Sequence, residues 1–166
     1  MRIRQLQGAA LNRRVVALLA AVAIAGCAAP GPQPVLVSAP FVASVYDPYR
    51  VLGPNTVTGR AYIGGATCYG KTAALFPDSR YFREVVSIVA VGGKPETVPP
   101  DQRGTTPGSP VRQMKCDSQG NFILQRVPAG RWLLVAQVQT RMLQREVQIT
   151  DGAVHQFDLT EANALR

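Results

Sequence analysis

The sequence is poor in the residues that most reactions need. Its 166 residues hold one histidine, three cysteines, one tryptophan and ten acidic side chains against eighteen basic ones. The lone His155 stands at the start of an expected strand beside Gln156, and no nucleophile-elbow motif such as GxSxG accompanies it. A Ser/His/Asp arrangement is therefore not expected, and an incidental surface histidine is. No CxxC pair occurs, so neither a metal nor a redox cofactor is expected. The carboxylates are spread singly from Asp47 to Glu161, mostly in turns, and give no pair suited to glycosidase-type acid/base chemistry. Long hydrophobic runs are scarce too. The longest, Val15 to Ala25, is too short to cross a bilayer comfortably.

What that run does have is the setting of a secretory leader. Residues 1–14 carry Arg2, Arg4, Arg13 and Arg14 and no acid, and the apolar core follows directly. Removal of residues 1–26 would lower the formal charge from +8 to +4, that is 14 basic against 10 acidic side chains. The remaining cations are scattered singly between acids, which is the pattern of a solvated surface, so no nucleic-acid partner is expected.

The run ends in Ile24-Ala25-Gly26-Cys27, which resembles the bacterial lipoprotein box. The resemblance implies that Cys27 is acylated with palmitate-type chains and becomes the first mature residue. The chain would then be held on a membrane by its N-terminal lipid, since each buried methylene contributes about 0.8 kcal/mol. The competing reading is an ordinary secretory signal with a cysteine at its cleavage point. Ala28, where inner-membrane lipoproteins of enterobacteria carry Asp, favours the outer membrane by the same resemblance.

Residues 27–55 are rich in Pro, Ala, Gly and Ser, including Pro30-Gly31-Pro32-Gln33-Pro34, and read as a tether. The stretch from Phe41 to Tyr49 is too apolar for a free linker, so it is expected to dock on the domain or on a partner. Alternation of apolar and polar residues begins at Thr56. It predicts strands over residues 56–63, 72–76, 122–125, 132–138, 141–149 and 154–159, with turns at Asp117-Ser118-Gln119-Gly120-Asn121, Pro128-Ala129-Gly130 and Thr150-Asp151-Gly152. Trp132 falls on the inward stripe with Leu134, Ala136 and Val138. Residues 79–91 suit either a helix or, by their β-branched content, a strand; a short helix from Ser79 followed by extended chain is expected. Residues 92–110 read as a long Pro/Gly-rich loop of functional or mobile character.

The run Asp117-x-x-Gly120-Asn121-Phe122-x-Leu124-x-x-Val127-Pro128-Ala129-Gly130-x-Trp132-x-Leu134, with Thr58-Gly59-Arg60-Ala61 before it, is similar to the carboxypeptidase regulatory-like domain. That resemblance implies an all-β fold, a transthyretin-like or Ig-like sandwich of seven strands over residues 56–160, with 161–166 as a tail and no catalytic residues of its own.

With Cys27 acylated, Cys68 and Cys116 are the cysteines that remain, and an even number in an exported chain argues for a disulfide between them. Asp117, Gln119 and Asn121 alternate as the first ligands of a calcium loop do, but no closing Glu follows, so a β-turn is the better account. Tyr62, Tyr69 and Tyr81 with the 92–110 loop could form a glycan-binding face. The expectation is a non-catalytic envelope lipoprotein acting as an interaction or structural module with an envelope-protein partner. The alternatives are a glycan- or peptidoglycan-binding module, or an accessory subunit of a secretion or surface-assembly system.

Overall fold

The computed structural model describes residues 31, 33–96 and 108–165. Cys27, the leader and the middle of the 92–110 loop therefore lie outside the described residues. In chain order the elements are β1 (Pro34–Val35), α1 (Asp47–Arg50), β2 (Asn55–Arg60), β3 (Tyr62–Ile63), β4 (Ala66–Thr67) and β5 (Thr72–Pro77). They continue with α2 (Arg80–Ala90), β6 (Lys94–Pro95), β7 (Arg112–Lys115), β8 (Asn121–Val127), β9 (Gly130–Val138), β10 (Arg141–Ile149) and β11 (Val154–Gln156).

Seven of the strands form an all-β sandwich. One sheet runs β10-β9-β5-β7 with every neighbour antiparallel, and the other runs β11-β2-β8. Between them lies a core built from alternate residues: Val57 from β2, Leu75 from β5, Phe122 and Leu124 from β8, Trp132 and Leu134 from β9, and Leu143, Val147 and Ile149 from β10. The period-2 pattern read from the sequence is this face. Trp132 is fully buried, and its indole N–H donates to the carbonyl oxygen of Pro128 at 3.2 Å, so the ring adds apolar burial without orphaning its polar atom. The last strand is shorter than expected, ending at Gln156, and Leu159 beyond it pairs with Ala61 as an isolated bridge while its side chain is buried in the core.

Cys68 and Cys116 form a disulfide inside this core, with Cα atoms 5.7 Å apart. It ties the chain before β5 to the end of β7. Next to it Asp117 organises the turn into β8. Its Oδ1 accepts from the N–H groups of Gln119 and Asn121, its Oδ2 accepts from the Asn121 amide, and Gly120 takes the positive φ of 83° that the turn requires.

A second hydrophobic layer covers the outer face of the four-stranded sheet. Leu133 and Val135 point away from Trp132 and Leu134 and pack with Tyr81, Phe82, Val85 and Val86 of α2. The helix runs to Ala90, so the extended chain expected after a short helix is helical instead. Ser79 caps it, its hydroxyl accepting from the Phe82 N–H at 3.2 Å, and Gly92 ends it at φ 77°. Burial of one stripe overrides the β preference of Val85, Val86, Ile88 and Val89.

Residues 37–46 are packed onto this same layer. Phe41 stacks on Tyr46 with centroids 4.7 Å apart, and Tyr46 meets Phe82 edge-on at 5.2 Å. The apolar half of the expected tether thus docks on the domain. Tyr49 sets its ring edge-on to Trp132 at 4.8 Å. The C-terminal tail is also attached, through the Leu165 N–H to the Met142 carbonyl at 2.9 Å.

Candidate functional site

The largest carboxylate-bearing clusters of the described residues hold segments together. Asp78, whose side chain is 6% exposed, meets Arg83 of α2 at 2.6 Å and Arg131 of β9 at 2.9 Å, and Arg83 reaches Glu146 of β10 at 2.6 Å. This network joins the first turn of α2 to the sheet below it. Hydrogen bonding from Arg83 holds the Glu146 carboxyl below its ordinary pKa. Glu84 binds the N-terminal segment: its oxygens accept from the Ser38 N–H at 2.7 Å, the Ala39 N–H at 2.9 Å and the Ser38 hydroxyl at 3.0 Å. Those donors lower its pKa. Arg112 joins the same segment to β7 through the carbonyls of Tyr49, Val51 and Ser109, and burial of its guanidinium lowers its pKa.

The residues singled out in the sequence separate into structural roles. Hydrogen bonds from Asn121 and Gln119 hold the Asp117 carboxyl below its usual range and occupy its oxygens, so Asp117, Gln119 and Asn121 make a turn. His155 stacks on Phe157 at 6.0 Å and contacts the Thr150 carbonyl through Nε2 at 3.0 Å. The three tyrosines do not share a face. Tyr81 is buried on the sheet-facing side of α2, whereas Tyr69 is exposed near the β3–β4 ribbon that carries Tyr62. Tyr81 lies at an apolar position of the helix stripe, and that is why it packs inward.

Two open hollows of the described residues bear on binding. One, of about 340 Å³, lies between α2 and the outer face of the four-stranded sheet. Its walls are apolar, from Phe76, Val85, Val86, Val89, Val135 and Met142, and at one end it is bounded by Lys71, Thr72, Gln113 and Gln137. The other, of about 380 Å³, lies on the outer face of the three-stranded sheet over Thr58, Arg60, Asn121, Ile123, Gln156 and Asp158. It is shallow, and its lining mixes polar side chains with the apolar surface of Phe122 and Ile123. Arg60 is fixed beside it, its Nε donating to the Gln119 carbonyl at 2.8 Å and its guanidinium lying over the Tyr62 ring at 5.2 Å.

Sequence reasoning missed the hollow beneath α2. One signal was present: Trp132 to Ala136, WLLVA, is an unbroken apolar run, the mark of a strand covered on both faces.

No protein-family model matches the chain, and no curated protein matches it. Among solved structures it is similar to a candidate carbohydrate-binding protein from Pseudomonas aeruginosa. That likeness has 16% identity and a TM-score of 0.44, and covers 66% of this chain and 90% of that one. It is also similar to a mutant type II cohesin–X-dockerin complex from Acetivibrio cellulolyticus, at 14% identity and a TM-score of 0.31, covering 67% of this chain and 55% of that one.

Proposed function

We propose that this protein is a non-catalytic lipoprotein of the bacterial envelope, anchored through acylated Cys27, whose β-sandwich serves as an interaction or structural module. The observation that carries the reading is the attachment of residues 34–55. Phe41, Tyr46 and the Glu84 clamp bind the stretch next to the lipobox onto the sandwich. Six residues, 28–33, separate Cys27 from Pro34, the first residue paired with β6. The seven steps from Cys27 to Pro34 reach at most about 25 Å when fully extended. A sandwich held this way is presented close to its anchor, which suits a partner in the same membrane, such as a subunit of a secretion or surface-assembly system.

The four-plus-three strand arrangement and the connection from β8 to β9, which crosses from one sheet to the other and carries the Asp117 to Leu134 motif, support membership of the carboxypeptidase regulatory-like group. Ala28 after the lipid site favours the outer membrane. The test is labelling in cells with an alkyne analogue of palmitate. Wild-type protein incorporates the label and floats with membranes, whereas Cys27→Ser does neither. An unlabelled wild-type protein with a free Cys27 thiol overturns the anchoring.

A second reading, glycan or peptidoglycan binding, is favoured by the shallow hollow over β2, β8 and β11, where Arg60, Asn121, Gln156 and Asp158 offer both donors and acceptors beside apolar surface. Retention on cell-wall or polysaccharide fractions that Gln156→Ala reduces supports it. Passage through all such fractions without delay rejects it.

A further inference from the structure

The hollow beneath α2 has two ends of different chemistry. Its body is apolar, and Val89, at its edge, is 41% exposed although it sits on the helix that closes the site. No acidic side chain lines it. Its mouth is cationic. Lys71 lines it, and Lys115 stands opposite Thr72 in the β5–β7 register. Residues opposite each other on antiparallel strands share a face, so Lys115 belongs to the face on which Thr72 lines the mouth. Both lysines are exposed, and among the described residues neither amine meets an acidic partner.

We infer that this hollow binds a fatty-acid-type carboxylate, with a single alkyl chain between α2 and the sheet and its head at Lys71 and Lys115. The volume of about 340 Å³ lies at the small end of ligand sites. It suits one chain of medium length and excludes a two-tailed lipid. Aliphatic Val85, Val86, Val89 and Met142 offer contact along the chain without directional demands, and Gln113 and Gln137 can donate to the head. The two ammonium groups supply the charge complement that separates a carboxylate from a neutral alcohol of equal length. The inference goes beyond the module reading and does not depend on acylation of Cys27.

The test is calorimetric titration of the full chain carrying Cys27→Ser, without detergent, with laurate below its micelle concentration. One laurate binds per chain, and decanoate, two methylenes shorter, binds about tenfold more weakly. The double variant Lys71→Glu with Lys115→Glu weakens laurate at least tenfold and leaves 1-dodecanol unchanged, while Val89→Asp weakens both. All three positions are exposed, so the variants keep the fold, which circular dichroism checks. Absence of saturable laurate binding overturns the inference. So does dodecanol binding as tightly as laurate, or laurate affinity within twofold of wild type in the double lysine variant.

Discussion

Glu84, on the second turn of α2, accepts the backbone N–H of Ser38 at 2.7 Å across 46 residues of chain. One carboxylate takes three hydrogen bonds from two successive residues and so fixes the path of the N-terminal segment over the helix. The segment's own apolar residues supply the burial, and Glu84 supplies the register.

The clamp makes attachment of this segment sensitive to acid. The donors favour the charged form, so the folded pKa of Glu84 lies below the ordinary 4.5. A lowered folded pKa means the contribution is complete above the ordinary carboxylate range and is lost as pH falls through the folded value. The amide proton resonances of Ser38 and Ala39 are expected to titrate together with a midpoint below 4.5. Glu84→Gln abolishes that titration. A midpoint above 4.5 contradicts the clamp.

Asn55 is a buried side chain that fastens one end of the sandwich. Its amide donates to the Val127 carbonyl at 2.9 Å, and its carbonyl oxygen accepts from the N–H groups of Gly152 and Ala153 at 2.9 and 3.3 Å. Asn55→Ala orphans buried groups on β8 and in the β10–β11 turn and is expected to cost about 2–4 kcal/mol. Asn55→Asp is expected to cost more at neutral pH, because a charged oxygen would then face the Val127 carbonyl. Urea unfolding of the three proteins gives the order.

The disulfide closes a separation of 48 residues, for which the chain-entropy model gives about 4 kcal/mol. The pair Cys68→Ala with Cys116→Ala is expected to unfold at markedly lower urea while retaining a β-rich circular dichroism spectrum. An unchanged midpoint would show that the cross-link adds nothing to stability.

Gly59 and Gly65 form a matched test of packing. A Cβ at Gly59 would fall on the Phe157 carbonyl oxygen and against the Phe122 ring, whereas Gly65 has open space around it. Gly59→Ala is expected to destabilise by about 1–3 kcal/mol, and Gly65→Ala by less than about 0.5 kcal/mol. Equal thermal shifts in the two variants would contradict the close approach of β2 to Phe157.

The inward stripe of the sandwich was legible because Phe122/Leu124 and Trp132/Leu134 follow the period of a pleated strand, and Asp117 and Gly120 announce the turn between β7 and β8. What period 2 does not carry is the second face. Leu133 and Val135 are apolar for a reason that lies in α2, about fifty residues earlier, and Tyr81 packs inward because it shares a helix stripe with Val85 and Ile88. The β-branched run at Val85 misleads for the same cause: tertiary burial decides its conformation, and local preference does not. The hollow needs Lys71, Val89, Gln113 and Met142 in one place, and no local pattern records that assembly.

The bond between Cys68 and Cys116 brackets β5, α2, β6 and β7 in a single covalent ring. Backbone scission by a protease at any one site within that interval adds a water molecule and releases no fragment. The nicked protein runs as one species until a reductant is added, and only then parts into two.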